Sequence, residues 1–512
     1  MQKVINKLGK KDLFNLIKSL TKGEKRYFKL FAGMQEGEKH YLKVFDIIEM
    51  MEEYDDDEII EKIADKKIIK NLHAVKHYLF ELILKSLRVY NSDKNSQYTL
   101  QNKLLDIDIL LEKGLNDIAY LWITKALKTS SEIEEFNLIY SFLAKKDNFH
   151  IKTRFVNIDE SDLEKHILQK KDSLSNISEF ENNKELLDKL EFINKKGLFS
   201  VAESGEKIKQ LLQSTHLQKE KYTTVRASLD YYYIKLLEAY FNNNSEDGLK
   251  HSIAFLNTLE TSPSLIQHSP LRYLYSIINV ISSCSILQYY KKSIEFCDKL
   301  KQNLNTYKNV INVNEYNNIV VTQLIHKAWG EIHLPITTNK SDTPSQLEKY
   351  CDANEEITSK ERMINCYFAL TKVYFFNGNY KKSLQFANKL IAFENSDIQA
   401  DYFIAGRIIQ ILTHIEKENF LVAKNLIREF EKLPVLYKSQ SVFISVAKIY
   451  YKLFTNKKEL DDKLKIEYEN VRELQKNEKE QFFYRHCYLD IWLQSKLEKK
   501  PILQLIQQLT RD

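Results

Sequence analysis

The sequence holds 512 residues with only 11 glycines and 6 prolines. That is far below the ~7% and ~5% of average usage, so sheets with tight reversals are excluded and an almost uniformly helical protein is expected. Its 76 basic and 70 acidic side chains leave a net charge of +6, a mixed surface that does not mark the whole molecule for nucleic acid or membrane.

Five cysteines (Cys284, Cys297, Cys351, Cys366, Cys487) form no CxxC pair and read as reduced core thiols of a cytoplasmic protein. Lys3, Lys7, Lys10 and Lys11 are followed by no uninterrupted apolar run, so a secretory signal is not expected. No segment approaches the ~18 consecutive apolar residues of a membrane span.

Residues 1–95 read as a separate helical head, basic and then acidic. Leu13, Phe14, Ile17 and Leu20 make one stripe, and Thr21-Lys-Gly-Glu24 fits a capping box before Phe28 and Phe31. A helix follows from about Tyr41 to Met51. Asp55 to Glu58 then places acid at the next helix start, where the dipole favours it. The spacing of Leu72, Val75, Leu79, Leu82, Ile83 and Leu87 predicts a helix from about Lys70 to Tyr90, and the polar stretch 91–97 is the expected boundary.

From about 101 to 440, helix pairs recur. Gly114 and Gly197 each end an apolar stretch and are followed five places later by a small residue, Ala119 and Ala202, as expected where one helix ends on a positive φ and the next packs against it. Gly378 is likewise followed by Tyr380 and Ser383. The strongest repeat signal is a near-copy: Tyr290-Lys-Lys-Ser-Ile-Glu-Phe-Cys-Asp-Lys-Leu300 returns as Tyr380-Lys-Lys-Ser-Leu-Gln-Phe-Ala-Asn-Lys-Leu390. Such a unit cannot bury its own apolar face and must stack on its neighbours.

In these residues the chain resembles the tetratricopeptide repeat, a helix–turn–helix unit of ~34 residues. The match is best at 364–395, with Tyr367, Leu370 and Tyr374 before the turn and Ser383, Ala387 and Leu390 after it. Weaker copies run through Tyr233, Leu236, Tyr240, Ile253 and Leu256, through Cys284 to Leu300, and through Phe420, Ala423, Ile427 and Phe430 before Pro434. Units recur nearer 40–45 residues apart than ~34, Leu249 stands at one small position, and Ser293 and Ser383 replace the usual alanine. The resemblance implies an all-α, right-handed superhelix over 96–440. Residues 441–512, with Trp492 and Leu497, are expected to be capping helices.

The resemblance also implies a groove for a protein or peptide, lined by Asn365, Phe368, Lys372 and Phe375, and ninety residues earlier by Tyr275, Ile278, Ser282 and Ser285. The basic and Asn pattern that clamps a peptide carboxylate in some members is not visible. An alternative is a regulator whose head meets nucleic acid: the first 29 residues carry nine Lys or Arg, and Lys22, Lys25, Arg26 and Lys29 would be the phosphate contacts. The competing view is a solvated face packing on the acidic stretch 49–61. Scattered sites carry little. His73 and His77 lie one helical turn apart but lack a third ligand. His486 and Cys487 are adjacent and do not face each other on a helix. No phosphate-cradling glycine loop or nucleophile motif occurs. A non-catalytic scaffold without cofactor or metal is expected.

Overall fold

The computed structural model describes residues 9, 11–34, 39–63, 65–92, 96–156, 158–196, 208, 210–212, 224–242, 244–335, 342–353, 360–393, 400–433, 438–453, 456–477, 480 and 486–510. Among the described residues the regular structure is helical throughout, so the all-α class expected from the scarcity of Gly and Pro holds. The chain divides into two compact units. The first takes Met1–Ser131 and Glu135–Lys170, the second Glu132–Glu134 and Lys171–Asp512. The first therefore extends well past the boundary expected near 95.

The head forms as its sequence dictates. Helices α1 (Asp12–Ser19), α2 (Lys22–Gly33), α3 (His40–Met50), α4 (Asp56–Ile63), α5 (Lys66–Lys70) and α6 (Leu72–Asn91) enclose one core of Ile17, Phe28, Val44, Phe45, Ile48, Ile59, Leu79 and Ile83. The capping box is present in full. The Thr21 hydroxyl accepts from the Glu24 backbone N–H at 3.3 Å, and Glu24 accepts from the Thr21 N–H at 2.8 Å. Three further helices complete the first unit's fold: α7 (Ser96–Glu112), α8 (Asn116–Glu132) and α9 (Phe136–Lys152). The long α10 (Glu160–Lys196) follows them.

The second unit stacks helix pairs. They are α11/α12 (Val225–Phe241, Ser245–Glu260), α14/α15 (Pro270–Ile286, Tyr290–Tyr307) after the short α13 (Pro263–His268), α16/α17 (Val313–His333, Thr343–Ala353), α18/α19 (Lys360–Phe376, Tyr380–Ile391), α20/α21 (Ala400–Glu416, Phe420–Phe430) and α22/α23 (Lys438–Leu453, Lys457–Leu474). Within each pair the helices pack together. The first helices also touch in series, α14 on α16, α16 on α18, α18 on α20, α20 on α22, so the unit is an α-α solenoid with a continuous first-helix face.

One turn recurs in three of these pairs. A residue with positive φ is followed by one whose N–H reaches the carbonyl five positions back, the bond that satisfies a free helix-end carbonyl. Gly378 (φ 73°) precedes Asn379, which donates to Tyr374 O at 2.8 Å. Gln288 (φ 65°) and Glu418 (φ 57°) do the same before Tyr289 and Asn419, which donate to Cys284 O and His414 O, each at 2.9 Å. Gly114 (φ 74°) plays this part in the first unit, whereas Gly197, Ala202 and Pro434 lie outside the described residues. Left-handed backbone costs a side chain about 1–2 kcal/mol. Gly378→Ala is therefore expected to lower unfolding stability by about 1 kcal/mol, read from urea denaturation, because its added Cβ meets nothing nearby and only the backbone cost remains.

The serines that replace alanine have a common task. Ser293 donates to Ile281 O at 3.4 Å and Ser383 to Thr371 O at 3.0 Å, each bonding back to the first helix of its own pair at zero exposure. The duplicated block thus preserves a buried hydrogen bond as well as a shape.

Candidate functional site

The first-helix face of α14, α16 and α18 is lined by polar groups that bridge neighbouring helices. The Tyr275 hydroxyl donates to Glu315 at 2.6 Å, the Ser282 and Ser285 hydroxyls lie 3.5 and 3.4 Å from the His326 ring nitrogens, and Arg362 donates to Thr322 at 3.2 Å. These side chains are half-buried. Burial, then the charges of Lys372 and Arg362, push His326 down to about 4. Of the residues expected to line the groove, Tyr275, Ser282, Ser285 and Asn365 lie here, half-buried, with Asn365 Oδ1 lacking a hydrogen-bond partner.

The others do not line an open groove. Ile278, Phe368, Lys372 and Phe375 are core residues, with 9%, 3%, 7% and 1% of their surface exposed. For Phe368 and Lys372 the cause is a chain segment far away in sequence. The stretch His486–Tyr488, entering α24 (Leu489–Glu498), lies across this face. Phe368 meets the His486 ring at 5.5 Å, Phe376 meets Tyr488 at 5.6 Å, and the Lys372 amine sits 3.4 Å over Trp329 and 5.9 Å from Tyr488. Phe375 turns instead toward its own pair, against Phe376 and Tyr380.

No carboxylate among the described residues pairs with Lys372, and burial pushes its amine down to about 7. Beside it His333 stacks on Tyr290 at 3.8 Å and bonds Trp329 O through Nδ1 at 2.8 Å, and burial pushes it to about 3. Both groups are buried, His333 fully and Lys372 to 7% exposure.

The C-terminal helices, expected as a cap, instead fold back over the array. Trp492 Nε1 donates to Glu416 at 2.6 Å and Lys496 pairs with the same carboxylate, fastening α24 to α20. Helix α25 (Ile502–Gln507) packs on α16, where Gln507 donates to Leu334 O at 2.9 Å and Thr510 to His333 O at 2.7 Å.

Cysteine chemistry also departs from expectation. Cys351 on α17 and Cys366 on α18 form a disulfide with Cα atoms 7.2 Å apart, both almost fully buried, whereas Cys284, Cys297 and Cys487 are free. Two isolated cysteines fifteen residues apart, without a motif, gave no sign of this pairing. Closing so short a loop stabilises by about 3 kcal/mol. Reduction is expected to lower the second unit's stability by that amount, and a Cys351→Ala/Cys366→Ala protein should show no response to reductant in the same denaturation curves.

In the head, Lys22, Lys25, Arg26 and Lys29 share one face of α2 and line a cavity of about 560 Å³ with Leu30 and Glu49. Lys25 pairs with Glu49 at 3.5 Å, and Lys29 with Asp46 and Glu49 at 2.8 Å each; hydrogen bonds to Asp46 and then Glu49 hold Lys29 above the usual ammonium value. Lys22 and Arg26 have no ion pair among the described residues. His73 is exposed and His77 half-buried on α6.

No protein-family model matches the chain, and no curated protein is similar to it. Among solved structures it is similar to a signal-transduction ATPase with numerous domains that carries a tetratricopeptide repeat sensor, from Pyrococcus horikoshii. That alignment covers 87% of this chain and 68% of the other at 13% identity and a TM-score of 0.39. The solenoid description rests on the helix pairing above rather than on that likeness. No described helix is long and apolar enough to cross a membrane.

Proposed function

We propose that the chain is a non-catalytic scaffold of divergent tetratricopeptide-like hairpins, and that it presents the open part of its first-helix face to a protein or peptide partner. The observation that carries this reading is the half-buried strip of Tyr275, Ser282, His326, Arg362 and Asn365. Its members lie on three successive first helices and are half-buried, whereas Phe368 and Lys372 are in the core. Polar groups of this kind fix the register of an extended partner, while a few apolar anchors supply affinity.

The test is capture from the native cell with the tagged full-length protein, beside a Ser282→Arg/Asn365→Arg variant of unchanged circular dichroism. A protein retained at stoichiometric level by the first and lost at least tenfold by the second supports the strip. Equal retention by both sinks it.

A second reading is favoured by the gathering of Lys22, Lys25, Arg26 and Lys29 around one cavity: the head contacts nucleic acid phosphates while the repeats engage a partner. Binding of a single-stranded oligonucleotide that weakens steeply with salt, and is lost in Lys22→Glu/Arg26→Glu, is the expected result. Affinity indifferent to salt and to that variant excludes it.

A further inference from the structure

Helix α7 is apolar on two opposite sides. Leu100, Ile107 and Leu111 are buried, at 4%, 0% and 4% exposure, and Leu104 between them is half-buried. The helix packs on α9, whose Lys145 pairs with Asp108 at 2.6 Å and whose Lys152 donates to Leu111 O at 2.8 Å. Half a turn away, Tyr98, Leu105 and Ile109 leave 50%, 64% and 55% of their surface in water. At ~100° per residue these three fall within about 40° of one line along the helix. A surface helix ordinarily carries one apolar stripe with polar groups opposite. Here a second stripe is left over once the unit has folded.

The leftover stripe has the spacing of a coiled-coil seam. Tyr98, Asn102, Leu105 and Ile109 follow one another at four, three and four residues, and Asn102 is exposed like the others. In heptad terms Asn102 and Ile109 take a positions, while Tyr98 and Leu105 take d positions. A β-branched side chain at a with leucine at d favours two parallel strands, and a single asparagine at a fixes their register. Exposed apolar side chains scattered singly are ordinary. Three in line at heptad positions, on a helix already buried along its other side, form a surface with a specific shape.

That surface is complementary to itself, and in one direction only. In parallel register Asn102 faces its own counterpart and the two amides satisfy each other, while Leu105 and Ile109 each meet their own kind. Antiparallel pairing about Leu105 would set Asn102 against Ile109 and leave its amide without a partner in an apolar contact. The flanking charges agree with the parallel arrangement. Asp108 falls at a g position, and its side chain stays 40% exposed even with Lys145 beside it. The exposed Lys113, one residue past the helix end, falls at the following e position. An ion pair from g on one helix to e on the other is the contact that sets partner and orientation in such seams.

We propose that two copies of this chain associate through the outward face of α7, as a short parallel two-stranded seam of Tyr98, Asn102, Leu105 and Ile109. One helix of 17 residues supplies it. Such a seam buries less than the ~800 Å² per partner of a standard interface, so the dimer is a weak one with a Kd in the micromolar range. Sedimentation equilibrium of the full-length protein across that range is expected to show a reversible monomer–dimer step. Leu105→Asp, with unchanged circular dichroism, is expected to weaken the association at least tenfold.

A second variant reads the register and serves if Leu105→Asp does not fold. Helices ~10 Å apart whose Cα atoms lie ~2.3 Å from their axes bring facing a positions to roughly 6 Å, a separation a disulfide spans. Mild oxidation of Asn102→Cys is therefore expected to link two chains covalently. Wild type should stay unlinked, because its free Cys284, Cys297 and Cys487 are all buried. A protein that remains monomeric across the range overturns the proposal. So does a dimer that tolerates Leu105→Asp, or one in which Asn102→Cys fails to cross-link.

Discussion

Lys372→Met is expected to stabilise the second unit by about 2–3 kcal/mol at pH 7 and to remove part of its pH dependence. Burial lowers the Lys372 amine from 10.5 to about 7, which at ~1.36 kcal/mol per pH unit corresponds to roughly 4–5 kcal/mol of disfavoured charge. The amine lies 3.4 Å over the Trp329 ring and near Phe368 and Tyr488, and a desolvated cation–π contact returns about 2 kcal/mol. The remainder is the expected gain from methionine, which keeps the length of the side chain and its contact with the rings.

The sign follows from the depressed value. Between pH 10.5 and about 7 the unfolded chain binds a proton that the folded chain resists. Wild-type stability therefore falls as pH is lowered through that window and levels off below it. Urea midpoints of wild type and Lys372→Met between pH 7 and 10 check this. Converging curves at alkaline pH are expected, and parallel curves would show that the amine carries no such penalty.

Trp492→Ala is expected to cost about 3–5 kcal/mol, the range for truncating a buried aromatic. Trp492 is 1% exposed, packs on Tyr450 at 5.4 Å, and hydrogen bonds Glu416, which also receives Lys496 and Tyr380. Its loss loosens the whole clasp of α24 on α20, and with it the cover over Phe368 and Lys372. Thermal unfolding followed by circular dichroism should show a midpoint lower by several degrees, together with increased binding of a hydrophobic dye. A shift below one degree would mean that the C-terminal helices are peripheral to stability. Trp492→Phe, which keeps most of the packing and loses the indole N–H, should fall between.

Much of the second unit was legible because its information is local. The near-copy at Tyr290 and Tyr380, the glycine at 378 and the apolar stripes state where helices begin, end and face. The head was legible for the same reason, down to the Thr21–Glu24 cap. Turns at Gln288 and Glu418 were harder to see, because the backbone there takes a glycine-like conformation without glycine, held by neighbouring bonds rather than by its own preference.

The expected groove was only half legible. Helical spacing does place Phe368 and Lys372 on the first-helix face, but whether that face meets water depends on residues more than a hundred positions away, and periodicity carries no such information. The Cys351–Cys366 bond was hidden similarly, since cysteine spacing cannot report which helices lie side by side.

The return of Gln507 and Thr510 to the carbonyls of Leu334 and His333 spans 173 and 177 positions. An open array of stacked pairs can grow or shrink by gene duplication, since each pair answers only to its neighbours. Here Gln507 and Thr510 are measured against Leu334 and His333. One more hairpin inserted between His333 and Trp492 would carry α25 away from α16, and one fewer would overshoot it. Such a loop closure also means that a chain emerging from the ribosome can stack its earlier hairpins but cannot seal the face of α16 and α18 until residues 486–510 have been made. The number of hairpins between α16 and α24, usually the freest variable in this kind of architecture, is set here by the return of Gln507 and Thr510.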